Sequence, residues 1–148
     1  MKDQVVEEIK RVCGNVKMLN NGWCHFVYRH LHFVNIPDEN NDMIRISIPH
    51  VVNSNEYKKE DVDVAVNETN REVKFIKAMV LDNGSISLNY DHRISNDEKA
   101  GEIIPHMIIT LYLAAEYLMR KLGERKKTEF YGYFSSNNIV NNQNHPIN

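Results

Sequence analysis

The stretch from Val66 to Tyr90, VNETNREVKFIKAMVLDNGSISLNY, decides the fold because it joins the end of an amphipathic helix to a β-hairpin. The hairpin prediction rests on Asp82-Asn83-Gly84, since Asn, Asp and Gly favour tight reversals and apolar residues alternate with polar ones in the following segment. The sequence therefore predicts a helix that leads into two antiparallel strands, at 75–81 and 85–90.

Two asparagines, Asn67 and Asn70, lie three residues apart near the end of that helix. Their side-chain amides can bond to the last helical carbonyls or to the hairpin that follows, so we expect a structural role. A role in contacting a ligand is the alternative.

Three segments carry apolar residues at helical spacing. The first is capped by Asp3 and ends at Gly14, and the second opens at Asp61. The third has Pro105 in its first turn, where a missing amide hydrogen costs little, and ends at Gly123.

Three strands are predicted between the first two helices. A short strand at 16–19 turns through Asn20-Asn21-Gly22 into one long strand at 23–34 that is apolar on both faces, and 43–48 alternates cleanly. The element order is therefore α-β-β-β-α-β-β-α. It predicts an α+β fold with one antiparallel five-stranded sheet and helices packed against it.

The chain of 148 residues fits one domain with a real core, which we place at residues 1–123. From residue 124 to residue 148 the sequence turns polar and rich in asparagine. Such a composition does not repay the entropy of ordering, so we expect a mobile tail at 124–148.

Composition excludes several classes of function. Eighteen basic and twenty acidic residues give a net charge of −2, which argues against nucleic-acid binding. The N-terminus has no apolar core of a secretory signal, and the apolar segment 103–122 carries charges that a membrane span avoids. We expect a cytoplasmic protein that does not bind membranes and whose two cysteines, Cys13 and Cys24, are reduced.

The segment Asn67-x-x-Asn70-Arg71, followed by Phe75-Ile76-Lys77-Ala78 and then by 82–88, resembles the YbjN-type family of bacterial proteins. The whole topology is similar to that of class I type III secretion chaperones. The resemblance covers about residues 3–122 by topology and 66–90 by motif. It implies a homodimer that binds another polypeptide in extended form through apolar grooves and sheet edges, and it carries no catalytic residue to transfer.

Histidines are the candidate metal ligands. His30 and His32 would share one face of the predicted long strand, as two ligands of a metal would. A metal site needs further ligands that the pattern does not supply, so we expect no metal and no cofactor. Cys24 and His25 point to opposite faces of a strand, which argues against a nucleophilic pair.

Aromatic side chains are the candidate partner-binding residues. Trp23, Phe26, Tyr28 and Phe33 lie on the long strand and belong either to the core or to an interface with a second copy or another chain. The sequence thus predicts a non-catalytic protein-binding domain, chaperone-like or regulatory, that acts as a homodimer on an extended polypeptide. The alternative is a small-molecule or metal-binding sensor, or an enzyme, with a histidine-bearing pocket.

Overall fold

The computed structural model describes the backbone of residues 2–40 and 42–141 and the side chains of 4–40 and 42–126. Three helices and six strands make up the described chain. In chain order they are α1 (Lys2–Val12), β1 (Gly14–Met18), β2 (Cys24–Tyr28), β3 (Leu31–Pro37), β4 (Met43–Asn53), α2 (Lys59–Glu72), β5 (Ile76–Val80), β6 (Ser85–Arg93) and α3 (Ala100–Asn141).

The six strands form one antiparallel sheet in the order β1-β2-β3-β4-β6-β5. The α+β class and the antiparallel sheet are confirmed, whereas the strand number and the element order are wrong by one strand. The predicted long strand at 23–34 is a hairpin, because Arg29 and His30 reverse the chain between β2 and β3.

The hairpin between β2 and β3 was missed because the residues of its turn are not typical turn residues. Arg29 and His30 adopt φ values of 48° and 70°, which are the left-handed conformations that a two-residue type I′ turn requires. Asn and Gly normally occupy such positions, so an Arg-His pair gives no signal in the sequence.

The two turns that contain Asn and Gly are confirmed and have the same geometry. Gly22 and Gly84 have φ values of 86° and 89°, which is why glycine occupies both positions. The backbone N–H of Leu19 donates to the carbonyl of Trp23 across the first turn, at 2.8 Å. Leu81 donates to Ser85 across the second turn at the same distance.

All three helices pack on one face of the sheet, and α3 lies between α1 and α2. Alternate strand residues point into this layer, while the residues between them point to a face that no described element covers. The largest fully buried side chains are Ile9, Phe26, Phe33, Ile46, Ile48, Ile86, Leu88, Ile104, Met107, Ile108, Leu111 and Leu118.

The helix ends differ from the predicted ones. Helix α2 begins at Lys59 rather than at Asp61, whose buried carboxylate instead accepts a hydrogen bond of 2.9 Å from Arg125 of α3. Helix α3 begins at Ala100, so Pro105 lies in its second turn, and it continues past Gly123 to Asn141.

The predicted end of α3 at Gly123 is therefore wrong, since one glycine does not stop a helix that its neighbours favour. Mobility of the segment from residue 124 onward stays a prediction. The stretch 142–148 lies outside the described residues.

Within the described part, the segment Ala100–Lys126 of α3 is long and apolar enough to cross a membrane by length and composition. A core helix passes the same test, and 44% of its apolar window is buried inside the domain. The sheet layer beneath α3 accounts for that apolar character, because Ile104, Leu111 and Leu118 are fully buried there.

Candidate functional site

The face of the sheet that carries no helices is lined by polar side chains that bond to one another. Arg45 donates to both carboxylate oxygens of Asp91 on the neighbouring strand, at 2.7 and 3.1 Å, and the pKa of Arg45 is raised by this hydrogen bond and by the carboxylate charge. Ser47 donates to Asn89 at 2.6 Å. Each pair joins opposite residues of β4 and β6, so the polar groups bond across the strands and form a surface rather than a catalytic centre.

The histidines are arranged differently from the predicted metal pair. His30 lies in the turn, so it does not share a strand face with His32. His32 instead stacks on His25 of β2, with ring centroids 5.1 Å apart and Nε2 of His25 3.0 Å from Nδ1 of His32. Among the described residues, no three His, Cys, Asp or Glu side chains come together to hold a metal ion.

Cys13 and Cys24 are both free and buried in the core. Burial and the neighbouring Cys24 raise the pKa of the Cys13 thiol to about 11, and burial raises the pKa of Cys24 as well. Both thiols therefore stay protonated at neutral pH, and the thiolate that nucleophilic chemistry requires is disfavoured.

The four candidate interface aromatics divide into two groups. Phe26 and Phe33 are fully buried and stack on each other across β2 and β3, with centroids 5.2 Å apart. Tyr28 is half-buried and packs edge-on against Tyr112 of α3, whereas the Trp23 indole remains exposed. Of these four aromatic residues, only Trp23 and Tyr28 present surface to a partner.

The β5 edge of the sheet is blocked by Asn70. Its side chain donates to the carbonyl of Ala78 at 3.0 Å and accepts from the amide of the same residue at 2.6 Å. Both backbone groups of Ala78 are thereby used, which confirms the structural role expected for Asn70. Asn67 is exposed, and no hydrogen bond joins its side chain to another described residue.

The β1 edge is different. Among the described elements β1 pairs with β2 alone, so its other side is unpaired. Asn15 has a φ of 55° and the register shifts between Gly14 and Lys17, which leaves 17–18 as the regular part of this edge. The side chain of Met18, the last residue of β1, is 52% exposed.

A pocket of about 70 Å³ lies beside Met18, under α1. Pockets for small-molecule ligands occupy about 300–1,000 Å³, so this pocket is too small for such a ligand. Its volume suits a single aliphatic side chain. Its lining comes from α1, from β1 and the turn after it, from the end of β3, from the start of β4 and from the residue after β6. The apolar lining residues include Val5, Val6, Met18, Ile36, Met43 and Ile94.

A wider hollow of about 330 Å³ lies near the end of β5. Val80, Tyr57 and Val62 line it together with the charged pair Lys59 and Asp63, which are 3.9 Å apart. It adjoins the edge that Asn70 blocks, so an added strand finds fewer free backbone groups there.

Sequence reasoning missed Met18 and its pocket. The lining residues come from five separate segments, and no local pattern predicts that they meet. The one available signal was Met18 itself, an apolar residue beside the Asn20-Asn21-Gly22 turn.

The chain matches no protein-family model and no curated protein. Its fold is similar to the crystal structure of an uncharacterized protein from Methanothermobacter thermautotrophicus, with a TM-score of 0.56 and 14% sequence identity. The match covers 84% of this chain and 97% of the other. At this identity the similarity extends to the fold alone.

Proposed function

We propose that this chain is a non-catalytic protein-binding domain, chaperone-like or regulatory, that acts in the cytoplasm as a homodimer on an extended polypeptide. The difference between the two sheet edges carries the proposal. At β5, Asn70 occupies both backbone groups of Ala78, whereas β1 has an unpaired side next to an apolar pocket. The motif at 66–90 that resembles YbjN-type proteins agrees with a protein-binding surface, whereas the predicted topology that resembled the secretion chaperones lacks one of the six strands.

An extended client would add to β1 as a further strand. Main-chain hydrogen bonds along 17–18 would hold it, and side chains at alternate positions would contact the domain. Because the regular part of β1 is short, most of the affinity has to come from an apolar side chain placed in the pocket beside Met18.

A display library of random dodecamer peptides, selected on the immobilised full chain, tests this proposal. The affinity of the selected peptides is then compared between the wild type and Met18→Asp by fluorescence anisotropy. Val80→Asp is the matched control, since both residues end an edge strand and their side chains are 52% and 45% exposed.

We expect peptides with an apolar anchor that lose at least about tenfold in affinity on Met18→Asp and little on Val80→Asp, since a buried carboxylate is costly in an apolar pocket. Equal losses in both variants, or loss on Val80→Asp alone, would place the client elsewhere. Failure to select any peptide, together with a small molecule or metal whose binding requires His25 and His32, would favour the sensor function instead.

A further inference from the structure

The side of α3 that faces away from the sheet carries exposed apolar residues that the fold of one chain does not use. Ile109 and Leu113 are 45% and 56% exposed although they lie well inside the helix. The buried residues of the same helix, among them Leu111 and Leu118, lie on the opposite side. An apolar strip in this position is expected to be covered by another surface.

The residues of this strip follow a heptad. Steps of four and three residues alternate along the exposed side of α3, which we call the α3 seam. Its members are Glu102, His106, Ile109, Leu113, Glu116 and Arg120.

The α3 seam is complementary to its own reverse order. When a second α3 is laid antiparallel about Leu111, Glu102 faces Arg120, His106 faces Glu116, and Ile109 faces Leu113. A parallel pair would instead place Glu102 on Glu102 and Arg120 on Arg120. Unlike charges meet at the ends and apolar residues meet in the middle in the antiparallel arrangement alone.

A strained aromatic residue lies beside one end of the seam. Phe75 has a φ of 70°, an unusual conformation for a bulky residue, and its side chain is 68% exposed. Its ring stacks on Tyr90 and lies 6.3 Å from the ring of His106. Its ring leaves exposed apolar surface that a second surface reaching His106 would bury.

We propose that two copies of this chain form a twofold-symmetric dimer by antiparallel packing of their α3 seams, with Phe75 at the edge of the contact. The interface is isologous, since each pair of facing residues occurs twice. This inference rests on the homodimer in the proposed function and names its surface. The seam lies on the outer side of the helix layer, so β1 of each copy stays free for a client.

A charge exchange tests the antiparallel register. In Glu102→Arg, two arginines face each other twice per dimer, and in Arg120→Glu two glutamates do. Each single variant should weaken the dimer by about tenfold in Kd, and the double variant should restore it. An equimolar mixture of the two single variants should form a heterodimer, because both of its facing pairs are complementary. Sedimentation velocity over a concentration series of the full chain measures each Kd.

Leu113→Lys provides the stronger disruption, since it places a charge at the apolar centre of the seam, and we expect a monomer. Met119→Lys is the matched control, because Met119 is an exposed apolar residue of the same helix that lies off the seam. Circular dichroism establishes that both variants fold.

A wild-type chain that is monomeric, a folded Leu113→Lys variant that still dimerises, or a double charge variant that fails to recover would each overturn this dimer. The Met18→Asp experiment is independent of it. A dimer that binds no peptide leaves this inference standing and removes the peptide-binding part of the proposed function. A monomer that binds peptide removes this dimer and the homodimer of the proposed function, and leaves only its peptide-binding part.

Discussion

The two faces of the sheet differ in what their side chains do. On the face under the helices, Phe26, Ile46 and Leu88 are fully buried and contribute to one apolar core. On the other face, Arg45 bonds to Asp91 and Ser47 bonds to Asn89, each across two neighbouring strands. The covered face therefore supplies stability through apolar burial. On the open face polar groups pair with one another, whether exposed as in Arg45–Asp91 or buried as at Ser47, which is 3% exposed.

The strands carry this difference residue by residue. In β2, Cys24 and Phe26 point into the core while His25, between them, points to the open face. A change of one position along a strand thus moves a substitution from the most sensitive environment in the domain to one of the least sensitive.

The largest effect is expected on the covered face. Phe26→Ala removes a fully buried ring that stacks on Phe33 and should lower the free energy of unfolding by about 3–5 kcal/mol. Urea denaturation followed by circular dichroism measures the change. His25→Ala, one residue away on the open face, is the control and should cost under about 1 kcal/mol. Equal costs would contradict the assignment of faces.

A smaller effect is expected at the β5 edge, where the two faces meet. Asn70→Ala leaves the amide and carbonyl of Ala78 without their partner and should cost about 1–3 kcal/mol. The same change opens an unpaired edge, so aggregation measured by light scattering should rise. Asn67→Ala is the matched control and should leave the unfolding free energy and the aggregation near wild type. A similar loss of stability in this control would contradict a specific role for the bonds between Asn70 and Ala78.

On the open face we expect a minor effect. Arg45→Ala breaks the exposed pair with Asp91 and should cost under about 1 kcal/mol of unfolding free energy at low salt. Because salt screens an exposed pair, the difference from wild type should shrink at 1 M NaCl. A salt-independent loss would show that Arg45 is needed for packing rather than for charge.

The smallest effect concerns Glu98, in the connection from the sheet to α3. Hydrogen bonds from His92 and from the backbone of Ser95 hold the pKa of Glu98 below its ordinary value of 4.5. Since the folded pKa is the lower one, the stabilisation is present above the unfolded pKa and is lost as the pH falls through the folded value. The difference in unfolding free energy between wild type and Glu98→Gln should therefore narrow from pH 6 to pH 3. A difference that widens over this range would contradict the assignment.

The sequence predicts some elements of the fold but little of the candidate site. The Asn20-Asn21-Gly22 and Asp82-Asn83-Gly84 turns were predicted because their residues favour positive φ by themselves. The Arg29-His30 turn was not, since these residues adopt the same conformation only when β2 and β3 pair across it. The predicted pairing of His30 with His32 failed for the same reason, because the turn separates them.

The sequence by itself determined the α+β class, the helical spacing of α1 to α3, the Asn-Gly turns and the structural role of Asn70. Each depends on residues near one another in the chain, where local sterics and side-chain periodicity act. Tertiary structure alone decided the sixth strand, the pairing of His25 with His32, the unequal sheet edges and the pocket beside Met18. The pocket joins segments that are far apart in the sequence and that meet only when α1 packs on the sheet. The sixth strand and the histidine pair are close in the chain, but they form only when β2 pairs with β3 across the Arg29-His30 turn.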